Sequence, residues 1–155
     1  MEINKITFRK ATEHDLDQIV RMLSDDDLGS KRERYEQPLP ESYRKAFLSI
    51  DSDPNIELIV ASYEGDIVGV EQITFTPHIT YRGGWRATIE GVRSSSSVRG
   101  QGVGSKLISC AIQRAKERGC HMVQLTTDKK RKDALRFYER LGFNASHEGL
   151  KIRLD

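Results

Sequence analysis

Three glycines alternate through Arg99-Gly100-Gln101-Gly102-Val103-Gly104, directly ahead of an amphipathic helix, and this is where the sequence is best equipped for chemistry. Alternating glycines let backbone N–H groups turn toward one point. The helix start adds its own unpaired donors and the positive end of its dipole. A phosphate or pyrophosphate fits such a junction. The same residues also write a tight turn that merely introduces a helix. Two familiar phosphate loops are excluded. A Walker A loop needs Gly-Lys-Ser/Thr, whereas Gly104 is followed by Ser105-Lys106, and a dinucleotide fingerprint needs Gly or Ala where Ser105 stands.

A second motif lies near the C-terminus: Ala134-Leu135-Arg136-Phe137-Tyr138-Glu139-Arg140-Leu141-Gly142-Phe143. Ala134, Phe137, Tyr138 and Leu141 share one helical face, and Gly142 stands where a helix closes. Alone, this reads as a short core helix with a half-buried tyrosine. In this order, with one helix and one strand between them, the two motifs resemble the GNAT superfamily of acyl-CoA-dependent N-acyltransferases. That family's pyrophosphate motif, Arg/Gln-x-x-Gly-x-Gly/Ala, is matched by Arg99, Gly102 and Gly104. Its later motif, Ala-x-x-Phe/Leu-Tyr-x-x-x-Gly-Phe, is matched by Ala134, Phe137, Tyr138, Gly142 and Phe143. Arg131 stands where the family often has Asn, a departure that touches polar contacts there and not Tyr138.

The resemblance implies an N-acetyltransferase that moves an acetyl group from acetyl-CoA to a primary amine of a small molecule or peptide, by direct attack in a ternary complex. It implies that the amides of Gly100, Gln101, Gly102, Val103, Gly104 and Ser105 hold the pyrophosphate, with Arg99 adding a charged contact or bracing the loop. The pantetheine arm would run along the fourth strand between Val92 and Ser94. The family usually has Val five residues before the arginine; that residue is Ser94, and a two-residue insertion would give the place to Val92. Glu90 is the expected base, directly or through water, or else a solvent-facing carboxylate. Tyr138 is the expected acid toward the departing thiolate, since a phenol of pKa about 10 suits that task. In this fold the acceptor wall comes from the loop between the first two helices and the loop after the third strand. Arg32, Arg34, Tyr35, His78, Tyr81, Arg82 and Trp85 lie there, a cationic and aromatic mix that suits a carboxylate or phosphate better than a polyamine. A homodimer is expected. The alternative function is a transcription-related regulatory protein that binds acyl-CoA on the same scaffold with weak turnover or none.

Elements to position these groups follow from periodicity. Ile3 to Arg9 reads as a strand, and Thr12 with Asp15 as a capping box ahead of a helix carrying Leu16, Ile19, Val20 and Leu23. Asp25 to Gln37 loses periodicity. Pro40 opens a second helix, Ile56–Tyr63 and Ile67–Thr76 form a hairpin, Pro77–Gly84 is a loop, and Trp85 to about Ser94 is the fourth strand. Val103, Leu107, Ile108, Ala111, Ile112 and Ala115 stripe a third helix ended by Gly119. Met122–Thr127 reads as a short buried strand. Phe143–His147 and Leu150–Leu154 read as a closing hairpin around Glu148-Gly149. The order predicts an α/β fold, and the resemblance makes it the GNAT fold: a mixed sheet of about seven strands flanked by about four helices, splayed between strands 4 and 5.

At 155 residues the chain is the size of one domain, spanning 1–155. A net charge of +2 selects no nucleic acid partner, and no stretch has the apolar length of a membrane span. The N-terminus lacks the pattern of a signal peptide, and the two cysteines, Cys110 and Cys120, fit reduced thiols in a cytoplasmic protein. His14, His121 and His147 have no metal-ligand spacing, so no metal site is expected.

Overall fold

Aliphatic and β-branched residues dominate two neighbouring stretches, which become the centre of the sheet. They are β2 (Ile56–Tyr63) and β3 (Asp66–Pro77), joined where Glu64 and Gly65 both take positive φ (50° and 87°). Two such residues in succession match the twist of the flanking strands. The computed structural model describes residues 1–155 as two compact units, Met1–Gln124 and Leu125–Asp155.

In the first unit, β1 (Thr7–Lys10) pairs antiparallel with β2, and β3 pairs antiparallel with both β2 and β4 (Trp85–Ser94). Outermost beside β4 lies β5 (Met122–Leu125), giving the order β1-β2-β3-β4-β5. His121 N–H donates to the Trp85 carbonyl at 3.0 Å and Gln124 Nε2 donates to Thr88 Oγ1 at 3.1 Å, so β4 and β5 advance together. This parallel pair makes the sheet mixed.

Helices cover both faces. Thr12 N–H donates to Asp15 Oδ2 at 2.7 Å, completing the predicted capping box just ahead of α1 (Leu16–Leu23). A short α2 (Asp27–Arg32) follows, then α3 (Glu41–Ser52). Ile19, Met22 and Phe47 from α1 and α3 pack on Val60 and Val70. On the opposite face, α5 (Val103–Glu117) sets Val103 and Leu107 against Ala61 and Val68. Alternation along β2 and β3 sends neighbouring residues to these two layers.

The second unit is built around α6 (Ala134–Arg140), after which Gly142 takes φ 99°. The expected closing hairpin is absent: Phe143–His147 and Leu150–Leu154 form no strand. Asn144, Ser146 and His147 are poor strand formers, and a lone hairpin with so few apolar residues is marginal.

The sheet therefore has five strands rather than about seven. Six helices replace about four, the additions being α2 and the single turn α4 (Thr80–Gly83), where Tyr81 and Arg82 take φ of 52° and 59°. Ile3–Lys5 is a 3₁₀ turn rather than strand, and β5 is half-buried and stops at Leu125. No helix is long and apolar enough to cross a membrane.

Candidate active site

The site begins with an irregularity in β4. Val70 pairs with Arg93 and Gln72 with Glu90, so the single residue Glu71 on β3 faces Gly91 and Val92 together. Gly91 has φ 62°, the left-handed value such a bulge requires. Val92 packs against the cluster beneath α5, while Ser94 pairs with Gly69. Glu90, just ahead of the bulge, is exposed. Because Thr88 lies beside Gln124 and β5 ends at Leu125, β4 from Glu90 to Ser94 runs past the end of its parallel neighbour. This overhang is where the splay between strands 4 and 5 is expected. It turns one edge of the bulged segment into backbone that an extended ligand could join.

After β4, a 3₁₀ turn (Ser96–Val98) buries Val98 and leads into the glycine loop. Gly100 and Gly102 take φ of 76° and 91°, and Gly102 is the N-cap of α5. Buried Val103 anchors the helix start against the sheet. Gln101 N–H donates to the Val98 carbonyl at 3.2 Å, so this amide closes the loop on itself. The first-turn amides of α5 remain as donors at Val103, Gly104 and Ser105. A side chain at Gly100 would meet nothing within 4 Å, so the loop surface is open. Arg99 is exposed at its entrance. Open approach, left-handed glycines and a long helix behind them fit a pyrophosphate.

Tyr138 belongs to the second unit. Its half-buried ring packs edge-on against Phe137 (5.1 Å between centroids) and Phe143 (5.9 Å). Its carbonyl accepts from the N–H groups of Leu141 (3.0 Å) and Phe143 (3.1 Å), tying the ring to the helix end.

Of the expected acceptor wall, the part between α1 and α3 reaches β4 beside the bulge, through an Asp26–Arg93 ion pair of 2.8 Å. Tyr35 Oη donates to Asp17 Oδ2 at 3.0 Å, and Arg32 Nε pairs with Glu33 at 2.5 Å. The loop after β3 sits at the other end of β4: Trp85 is roughly 20 Å from Val92 at about 3.3 Å per residue. There Tyr81 stacks on His121 (4.9 Å), with the Arg86 guanidinium 5.0 Å from the Tyr81 centroid.

Two buried carboxylates under α5 escaped sequence reasoning. Glu57 receives Arg114 Nε at 2.6 Å and Nη2 at 2.5 Å, and this fork holds its pKa below the ordinary value. Glu71, opposite the bulge, is fully buried with neither oxygen hydrogen-bonded; burial pushes its pKa up to about 8, against the pull of Arg114. Burial also raises the thiol pKa of Cys110 and Cys120, away from nucleophilic use. An isolated glycine inside a strand pattern was the one sequence signal for the bulge.

The model of the acetyltransferase (GNAT) family matches residues 17–143. An aminoalkylphosphonate N-acetyltransferase from Salmonella typhimurium is 32% identical over 107 residues, covering 69% of each chain. A glucosamine 6-phosphate N-acetyltransferase from Trypanosoma brucei brucei is 34% identical over 90 residues, 58% of this chain and 59% of that protein. Among solved structures, a transcriptional regulator from Bacillus halodurans C-125 is 66% identical with a TM-score of 0.94, covering 96% of this chain and 99% of the other.

Proposed function

The chain belongs to the acetyltransferase (GNAT) family, and from that premise we propose that it is an acetyl-CoA-dependent N-acetyltransferase acting on a primary amine. The domain would span 1–155, without a metal. The observation that carries the reading is the bulge at Gly91–Val92 at the free end of β4, joined through one short turn to a left-handed glycine loop that caps α5.

Acetyl-CoA would supply the activated acetyl thioester. The chain's part is to hold and to move protons. The amides of Gly102 to Ser105 and the α5 dipole bind the pyrophosphate, with Gly100, Gln101 and Arg99 shaping its entrance. The β4 backbone between Val92 and Ser94 receives the pantetheine arm, and an N–H there polarises the thioester carbonyl. Glu90 takes the proton of the incoming ammonium, directly or through water, and the neutral amine forms the new C–N bond as the C–S bond breaks. Tyr138 gives its proton to the thiolate and is restored by the second proton that the nitrogen sheds as the amide forms.

For the acceptor, the reading is a small amine bearing a phosphonate or phosphate group. It is supported by the named substrates of the two relatives and by Arg32 and Arg34 in the α1–α3 connection. The protein would work in the cytoplasm, with Cys110 and Cys120 reduced, and as a homodimer. The second reading, a regulatory acyl-CoA binder, draws on the name of the Bacillus halodurans relative. A screen of amine acceptors with acetyl-CoA, following free thiol release, separates the two. Release with aminophosphonates or amino sugar phosphates supports the first reading; acetyl-CoA binding without turnover on any amine supports the second.

A further inference from the structure

We propose that Asp26 and Arg93 form a positioning latch that docks α2 against the bulged segment of β4 and so holds the acceptor wall in place; the inference rests on the acetyltransferase reading above. Arg93 stands between Val92 and Ser94, the residues assigned to the pantetheine arm. Its pairing with Val70 puts its side chain on the α1/α3 face, while Val92 packs beneath α5. One strand segment therefore serves both sides. Its side chains at Val92 and Arg93 belong to different layers.

The latch is well buried. The Arg93 side chain is 10% exposed and that of Asp26 19%, with Nη1 and Oδ2 2.8 Å apart. The other Asp26 oxygen, Oδ1, accepts the Gly29 N–H at 2.5 Å and caps α2. Gly29 completes the joint: a Cβ there would lie 1.9 Å from the Leu23 carbonyl oxygen and 2.8 Å from Asp26 Oδ1. The carboxylate thus ties the start of α2 to the sheet, while Gly29 lets that turn pack closely on the end of α1. Downstream, Tyr43 Oη donates to Glu33 Oε1 at 3.0 Å and accepts the Arg34 N–H at 2.9 Å, so the stretch carrying Arg32 and Arg34 is tied to α3. Freed from β4, α2 would have the end of α1 and α3 as its remaining anchors. A helix of six residues does not hold itself in water.

Asp26→Asn separates the two jobs of the carboxylate, since an amide oxygen can still cap α2 while the charge facing Arg93 is gone. Arg93→Lys is the milder partner change, keeping the cation on a side chain of different shape. Hydrogen exchange is read across 24–36 in both variants, and steady-state kinetics using an aminoalkylphosphonate and acetyl-CoA in Asp26→Asn. The expected result is exchange at least about tenfold faster over Asp27–Arg32. In Asp26→Asn, acceptor KM should rise about tenfold with kcat and acetyl-CoA KM within about twofold of wild type; Arg93→Lys, whose backbone lies in the segment assigned to the pantetheine arm, is judged by exchange alone. Unchanged exchange over α2 would overturn the latch whatever the kinetics. Faster exchange with an unaltered acceptor KM would overturn its positioning role. Should the wild-type chain acetylate no amine, the acetyltransferase reading falls instead, and with it the role in acceptor binding; exchange over α2 would then still decide whether the latch exists.

Discussion

Burial of Glu71 with neither carboxylate oxygen hydrogen-bonded makes its proton part of the fold. Unfolded, this glutamate ionises near 4.5; folded, burial moves it to about 8. The folded state therefore holds the extra proton between those values. Its contribution to stability is complete below the lower pKa and is lost as pH rises through the upper one. At about 1.4 kcal/mol per pH unit, the loss is on the order of a few kcal/mol. Asp15 and Glu57, both held low chiefly by hydrogen bonds from Arg9 and Arg114, act in the opposite window, at acid pH. Thermal melts from pH 5 to 9 should show wild type losing Tm relative to Glu71→Gln, and parallel curves would remove Glu71 as the cause. Glu90→Gln addresses the reaction. If Glu90 is the base, its rate loss should concentrate near neutral pH and shrink as the amine deprotonates unaided; a superimposable pH–rate profile would strike it from the mechanism. Tyr138→Phe should keep acetyl-CoA binding and lower turnover on the order of 10²–10⁴-fold, checked by thiol release. Tyr138 and the glycines were legible as candidates because motifs name them. Glu71 and Arg93 were not, because a charged residue in an alternating strand reads as solvent-facing until the layer above it is known.

At the scale of elements, the glycine loop and α5 are separable by mutation. A Cβ at Gly102 would meet only Ile3, at 3.7 Å, so Gly102→Val is opposed by its φ of 91° and by the ligand's approach rather than by packing. CoA affinity in calorimetry should fall at least about tenfold, roughly 1.4 kcal/mol, in a chain that remains folded. Gly69 presents the reverse case. Its Cβ would lie 2.9 Å from Leu107 Cδ1 and 3.0 Å from Val103 Cγ1, so Gly69→Ala crowds the side chains that α5 packs on the sheet. Denaturant titration should show a loss of about 1–3 kcal/mol, the range for overpacking. β2 and β4 match their predicted limits and β3 lies within a residue of them, because apolar runs there end at turn residues. Sequence reasoning failed where tertiary context decides: Ile3–Lys5 has strand-like alternation yet tightens into a turn, and the charged Asp25–Gln37 stretch gains α2 through one aspartate cap.

For the whole molecule, the informative region is the one where the predicted hairpin is missing. Leu150, Ile152 and Leu154 alternate with Lys151 and Arg153, the period of a strand with one apolar face. They are 92%, 85% and 96% exposed. Burying such side chains contributes about 1.5–3 kcal/mol each, so a segment of this pattern is a strand awaiting a sheet edge. In the proposed homodimer a second copy of the chain would supply that edge reciprocally. A two-fold dimer lets each tail join its partner's sheet, and nothing is left open to propagate. Sedimentation equilibrium should accordingly give twice the chain mass. The triple variant Leu150→Ser, Ile152→Ser, Leu154→Ser should sediment as a monomer while keeping the exchange protection of β2 and β3. Wild type that runs as a monomer with a protected tail would mean that the strand joins its own chain, and the dimer would fall. A dimer that survives the triple variant would place the interface elsewhere and return the tail to solvent.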